Sequence, residues 1–163
     1  MKTLKNYLFM TILLMGLVGF SSCDSEEDMG AKLVNGYCWQ GYLPIDDYHG
    51  WNDYFSRFFF DGGDRSGYGC EEVYRNEVYQ RPYDFDWYWE GSSFAVLVLD
   101  YGHRWDQKSC IDVIEIKHGV LRGYFYEYLT DYYRERDNGF SNYGDRDSRY
   151  IELTTKQYSR YKR

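Results

Sequence analysis

Residues 83–90 constrain the fold most strongly, because aromatic and polar side chains alternate there at a period of two. This period places the two sets of side chains on opposite faces of a β-strand. The residues predicted to form its apolar face are Tyr83, Phe85, Trp87 and Trp89. A short Gly-Ser-Ser turn then leads into residues 94–99, a continuous apolar run typical of a strand covered on both faces. The pattern predicts a β-hairpin.

The same signals recur along the chain and predict about eight strands. Aromatic residues make up 21% of the sequence and there are only two prolines, a composition typical of an all-β domain. Gly119 lies between two strand patterns, where it would supply the positive φ angle of a tight turn. The predicted strands are residues 37–43, 54–60, 67–74, 83–90, 94–99, 111–116, 120–126 and 150–154.

Antiparallel strands that follow one another in sequence can close into a barrel, which removes both exposed sheet edges. We therefore predict an all-β fold, a single antiparallel up-and-down β-barrel of about eight strands. Residues 129–148 allow two interpretations. Leu129, Tyr132 and Tyr133 would share one side of a short helix, or the whole segment forms a long polar loop.

The N-terminal residues are predicted to be a membrane-targeting signal that lies outside the fold. Two lysines precede an apolar stretch, residues 8–20, which is shorter than the roughly 20 residues that span a bilayer. Two serines then precede Cys23, an arrangement that resembles a lipobox, although Phe20 stands where Leu is usual. We expect residues 1–22 to be a lipoprotein signal peptide and Cys23 to be the lipidation site.

Four of the five side chains in residues 24–28 are acidic, so they repel one another and have little to bury. We expect residues 23–33 to form a flexible lipidated tether and residues 34–163 to form the barrel domain. The acidic run also resembles the export signal of Bacteroidetes surface lipoproteins. This resemblance implies a protein anchored by lipid in the outer membrane and exposed on the cell surface. A solvated tether without an export role is the alternative.

The charge of the mature chain argues against nucleic acid as a partner. Removal of the signal peptide takes away two of the 19 basic residues and none of the 26 acidic ones, which leaves a net charge of about −9. Phosphate binding requires a basic patch, and the sequence has none. The expected partners are therefore the membrane, through the N-terminal lipid, and a glycan or protein ligand.

Residues 36–41, 58–62 and 67–69 (GYCWQG, FFFDG and GYG) resemble the small lipocalin-like lipoproteins of Bacteroidetes. The resemblance implies a lipocalin-like, calycin-type barrel. In lipocalins, a Gly-x-Trp motif plugs the closed barrel end beneath a basic residue of the last strand. Here the spacing is Gly-x-x-Trp, ending at Trp39, and Arg149 is the candidate basic partner.

No catalytic or metal-binding constellation is visible in the sequence. Its histidines and cysteines lack ligand spacing, and its Asp-rich loops are explained by turn formation, so we expect no metal and no cofactor. No sequence motif supports Cys110 as a nucleophile with His103 as its general base. Glycoside hydrolysis needs two carboxylates across a cleft, and the sequence does not place the candidates. These are Glu71, Glu72, Asp112 and Glu115. We expect a protein without enzymatic activity.

Three cysteines remain after Cys23, so any disulfide leaves at least one thiol unpaired. Three pairings are open. Burial of all three as small apolar side chains is an equally good interpretation. The cysteines are Cys38, Cys70 and Cys110.

Tyrosine is the one compositional excess that suggests binding, since the chain contains 20 tyrosines, too many for one small core. Rigid amphipathic rings in loops contact sugars and proteins at a low entropic cost. The candidate ligand contacts are Tyr48, Trp51, Tyr101, Trp105, Tyr132, Tyr133 and Tyr143. We expect a surface binding module for a glycan, a small apolar ligand or a partner protein. The alternative is a structural or accessory envelope lipoprotein whose barrel is filled by its own side chains.

Overall fold

The computed structural model describes residues 27–47, 50–102, 108–138 and 148–157. Eight antiparallel strands form a closed barrel in sequence order, and the pairing of β1 with β8 closes it. The strands are β1 (Cys38–Asp47), β2 (Gly50–Gly62), β3 (Ser66–Arg75), β4 (Val78–Trp89), β5 (Val96–Asp100), β6 (Lys108–Lys117), β7 (Val120–Tyr126) and β8 (Ser148–Lys156). The helices are α1 (Glu27–Leu33) and α2 (Leu129–Asp137). The predicted all-β up-and-down barrel is confirmed.

The hairpins follow from the turn and alternation signals of the sequence. The β6–β7 turn has positive φ angles at His118 and Gly119, as the predicted tight turn requires. On β4, alternate aromatic residues from Phe85 to Trp89 are buried in the barrel. β5 begins two residues later than predicted, and Phe94, which precedes it, packs edge-on against Trp89 with a ring-centroid distance of 5.4 Å.

Interlocking aromatic rings fill one half of the barrel. Phe60 packs edge-on against Phe85 and Trp87, with ring centroids 5.6 and 5.9 Å apart. The Trp87 indole nitrogen donates a hydrogen bond of 3.1 Å to the carbonyl oxygen of Asp61 at the end of β2. We call this half the closed half, and the opposite half the open half.

Helix α1 caps the closed half, where the acidic composition predicted a flexible tether up to residue 33. Leu33 is 1% exposed and belongs to the barrel core, and Met29 and Val34 pack against that core. A Cβ atom at Gly30 would overlap the carbonyl oxygen of Asp64, so the helix lies close against the β2–β3 connection. The apolar residues after the acidic run are buried, which fixes this part of the chain.

Trp39 lies beneath α1 and is fully buried. Its indole nitrogen donates a hydrogen bond of 2.9 Å to the carbonyl oxygen of Leu33. Trp39 pairs with Thr155 near the end of β8, whereas Arg149 pairs with Phe125 near its start. Arg149 therefore does not cover Trp39 as the lipocalin resemblance suggested, and the C-terminal end of α1 takes that place.

Helix α2 packs on the outer wall of the barrel, so the helical interpretation of residues 129–148 is right for its first part. Leu129 and Tyr132 are each 8% exposed. They form an outer cluster with residues of β5, β6 and β7. Its strand members are Val96, Val98, Cys110 and Tyr126. The cluster covers the outer face of β5, which explains why the predicted strand there is apolar on both sides.

The three described cysteines form no disulfide, and each lies in a strand. Cys38 and Cys110 are buried and Cys70 is partly buried. Burial raises the pKa of Cys38 and of Cys70 to about 11. Burial also raises the pKa of Cys110. Of the interpretations left open by the sequence, the structure supports small apolar residues, whose raised pKa favours the protonated thiol.

Candidate functional site

The open half of the barrel contains a cavity of about 310 Å³. It lies opposite α1, at the end where the β1–β2, β3–β4, β5–β6 and β7–β8 connections join the strands. The lining residues come from seven strands or the segments that follow them. They are Ile45, Tyr54, Glu71, Val73, Tyr83, Tyr101, Ser109 and Glu127. An eight-stranded barrel can hold one small ligand, and this cavity is the candidate site.

Glu71 is the buried polar group of the cavity, with 6% of its surface exposed. One carboxylate oxygen accepts a 2.6 Å hydrogen bond from the Ser56 hydroxyl of β2. The other accepts a 2.7 Å hydrogen bond from the hydroxyl of Tyr101, which follows β5. Three elements thus fix the carboxylate within the barrel. The strand alternation explains this orientation, because Glu71 and Val73 share the inner face of β3.

Burial raises the pKa of the Glu71 carboxyl, and the hydrogen bonds from Ser56 and Tyr101 oppose that shift only in part. The pKa of Tyr101 also lies well above its ordinary value, because its hydroxyl is buried and sits beside Glu71. No described cation contributes to the shift at Glu71. A buried carboxylate held only by neutral donors is costly to keep ionised, which marks it as a functional-site candidate.

Tyrosine rings form much of the cavity wall. The ring of Tyr101 packs edge-on against Phe85 at 5.5 Å, where the aromatic core of the closed half begins. Exposed arginines approach two other lining rings from outside: the Arg75 guanidinium is 5.8 Å from the Tyr54 centroid, and that of Arg81 is 4.7 Å from the Tyr83 centroid. The cavity is therefore acidic at its base and has basic groups at its rim.

The structure places the predicted ligand contacts in different surroundings. Tyr101 lines the cavity, as a binding role would require. The backbone of Trp51 belongs to β2, but its side chain lies outside the described part of the structure. The other predicted positions outside the described residues are Tyr48, Trp105, Tyr143 and the lipidation site Cys23. Asp47, where β1 ends, and Gly50, where β2 begins, lie at the open end of the barrel.

Tyr132 and Tyr133 are not loop residues, because both lie on α2. Tyr132 is 8% exposed and packs edge-on against Tyr126, with ring centroids 5.4 Å apart. The Tyr133 hydroxyl donates a 2.6 Å hydrogen bond to Glu90. Their prediction as loop residues was wrong because the helix turns both rings toward the outer wall of the barrel, where they bind α2 to the strands.

Of the four carboxylates considered for glycoside hydrolysis, only Glu71 faces the cavity. Glu72 points outward, where it accepts a 3.1 Å hydrogen bond from Tyr74 and lies 3.9 Å from Arg57. Asp112 and Glu115 lie on the outer side of β6. Glu127, which was not predicted as a site residue, follows β7 and lines the same cavity. The inward orientation of Glu71 could have been predicted from the sequence, because Glu71 and the apolar Val73 are two residues apart and share one face of the strand.

Within the described ranges, no group of three or more His, Cys, Asp or Glu side chains could hold a metal ion. No helix in this part of the chain is both long and apolar enough to cross a membrane. In comparisons with known proteins, the chain matches no protein-family model, no curated protein and no solved structure.

Proposed function

We propose that this protein is a non-enzymatic binding module of the cell envelope, anchored by lipid at Cys23, whose barrel holds one small ligand in the cavity of its open half. The observation that carries the proposal is the unfilled space above a fixed, buried carboxylate. Ligand sites typically combine an apolar wall with a few polar groups that orient the ligand, and begin at about 300 Å³. The cavity has this size and composition.

The alternative function, a structural envelope lipoprotein with a filled barrel, is supported less well. Aromatic side chains fill the closed half, whereas Ile45 and Val73 border open space in the other half. A barrel with a purely structural role has no need of a buried carboxylate, which disfavours folding unless it is compensated. A glycan is a second candidate ligand, because the sequence predicts aromatic ligand contacts at Tyr48, Trp51 and Trp105.

Blocking the cavity should abolish ligand binding without unfolding the barrel. Val73 lies on the inner wall, so a Val73→Trp side chain would occupy the open space. We expect the wild type to bind the neutral dye N-phenyl-1-naphthylamine saturably, with one site, and V73W to weaken this binding at least about 10-fold. Dye fluorescence titration measures the affinity, and circular dichroism with thermal melting shows that the variant is folded.

The matched control is Val78→Trp. Val78 is 62% exposed on β4, so the same substitution adds a tryptophan outside the cavity. We expect V78W to bind the dye like the wild type. Unchanged dye binding in folded V73W, or no saturable binding by the wild type, would contradict a ligand site in the open half.

Replacing Cys23 with Ala should prevent lipid attachment and release the chain from membranes or leave it uncleaved. Metabolic labelling with a fatty-acid analogue and membrane fractionation measure both effects. The control is Cys38→Ala, because Cys38 is a buried strand residue. A lipid-labelled, membrane-bound C23A protein would refute the anchor.

Surface display is a separate part of the proposal, supported by the acidic residues that follow Cys23. Protease accessibility on intact cells tests it. We expect the wild type to be cleaved and a variant with Ala at Glu26, Glu27 and Asp28 to be protected. Equal cleavage of both proteins would contradict an export role for these acidic residues. They would then serve only in the tether and at the start of α1.

A further inference from the structure

Glu71 has a capacity for hydrogen bonds that the described residues do not fill. An ionised carboxylate offers about four acceptor positions. The structure gives it two donors, the hydroxyls of Ser56 and Tyr101. Both donors are neutral, so they orient the carboxylate without balancing its charge. A bound ligand with N–H donors could use the remaining acceptor positions.

The charges around the cavity favour a cationic ligand group at its base. The described lining contains no Lys, Arg or His. The guanidinium of Arg57, on the neighbouring strand, lies outside the barrel, 4.7 Å from the Tyr74 ring centroid. A buried charge needs a partner of opposite sign, and no described lining residue supplies one for Glu71.

The wall suits the rest of such a ligand. Ile45 and Val73 provide aliphatic contacts, and the tyrosine rings provide electron-rich faces that attract cations. The guanidiniums of Arg75 and Arg81 already approach two of these rings at the rim. The buried carboxylate of Glu71 makes the base of the cavity a poor place for an anion.

We propose that the cavity selects small organic amines, with the ammonium group donating hydrogen bonds to Glu71 and an apolar body packed against the tyrosine, isoleucine and valine side chains. The inference rests on the proposed ligand-binding function and specifies its ligand class. A neutral alcohol would fill the same space without balancing the charge. A carboxylate of the same size would place like charges together.

Two matched series of probes test the selection by isothermal titration calorimetry. The first comprises 2-phenylethylamine, 2-phenylethanol and phenylacetate, and the second comprises tryptamine, tryptophol and indole-3-acetate. Each is measured at pH 7.5 against the wild type, Glu71→Gln and Glu72→Gln. E72Q is the matched control because Glu72 is the next residue of β3 and points outward.

In the wild type, we expect the amine of at least one series to bind about 10-fold or more tightly than its alcohol and its carboxylate. E71Q should weaken amine binding about 30-fold or more and change alcohol binding little, because it removes the charge and keeps the shape. E72Q should bind like the wild type. An amine preference that survives in E71Q would overturn the inference.

The outcomes separate this inference from the proposed function. If alcohols or carboxylates bind as tightly as amines, the amine selection is wrong and the cavity remains a ligand site. If no probe of either series binds, while the dye still binds in a way that V73W abolishes, the amine selection alone fails. If neither the probes nor the dye bind, both proposals fail.

Discussion

Replacing Trp39 with Ala is expected to lower the free energy of unfolding by about 3–5 kcal/mol, which is typical of removing a buried tryptophan from a core. The side chain is fully buried beneath α1, and its indole nitrogen bonds to the Leu33 carbonyl oxygen. Small domains are stable by only about 5–15 kcal/mol, so this loss would be a large part of the total. Urea unfolding followed by circular dichroism measures it.

Two further variants show whether the loss comes from the cap. Trp39→Phe keeps most of the apolar volume but leaves the Leu33 carbonyl oxygen without its donor, so we expect a loss of about 1–3 kcal/mol. Tyr42→Ala is the surface control on the same strand, because Tyr42 is 63% exposed. This substitution should lower the free energy of unfolding by less than about 1 kcal/mol. A W39A protein as stable as Y42A would contradict the role of Trp39 and α1 in closing the barrel.

Replacing Glu71 with Gln is expected to stabilise the ligand-free barrel at pH 8 by about 1–3 kcal/mol. The amide can still accept a hydrogen bond from one hydroxyl and donate to the other, so the pair with Ser56 and Tyr101 survives. The substitution removes the free-energy cost of burying the charge of Glu71. Urea unfolding of both proteins between pH 4 and pH 8 measures the difference.

The pH dependence has a definite sign. The pKa of Glu71 is raised in the folded state, so the folded protein holds this proton more tightly than the unfolded chain does. The contribution of Glu71 to stability is therefore greatest below the ordinary carboxyl pKa of roughly 4.3 and is lost as the pH rises through the raised value. The advantage of E71Q should accordingly be near zero at pH 4 and grow as the pH rises toward 8.

Groups remote from Glu71 are common to both proteins, so their contributions cancel in this comparison. The control is E72Q, which removes a carboxylate from the outer surface and should change stability by less than about 0.5 kcal/mol at either pH. An E71Q protein less stable than the wild type at pH 8 would show that the buried charge is compensated within the protein itself.

The barrel could be predicted because its determinants are local. Alternating side chains around Phe85 and Trp87 fix which strand face is buried, and Gly119 marks a tight turn. Strands that follow one another in sequence then pair with their neighbours, so the topology needs no long-range information. The pairing of β1 with β8 then closes the barrel.

The cap and the outer helix were harder to predict, because packing partners distant in sequence decide them. The acidic run suggested a tether, although Leu33 is buried in the barrel core and its carbonyl oxygen accepts a hydrogen bond from Trp39. Tyr132 and Tyr133 belong to a segment with equally good helical and loop patterns. Contact with the outer face of β5 and its neighbours selects the helix.

The site was predicted only in part, for a related reason. Strand parity reveals that Glu71 and Val73 point inward, but it does not reveal whether the inward residues fill the barrel. That depends on how the rings pack. Phe85 and the aromatics of the closed half interlock, while Tyr54 and Tyr83 leave space between them at the open end.

The central claim is that a small molecule occupies the open half of this barrel, and methyl NMR during a ligand titration tests it most directly. Isoleucine and valine methyl groups are labelled with carbon-13, and the protein is titrated with N-phenyl-1-naphthylamine. We predict saturable shifts at Ile45 and Val73, which line the cavity, and little change at the buried Ile116 of the closed half. Absent shifts at Ile45 and Val73, or equal shifts at all three residues, would contradict the claim.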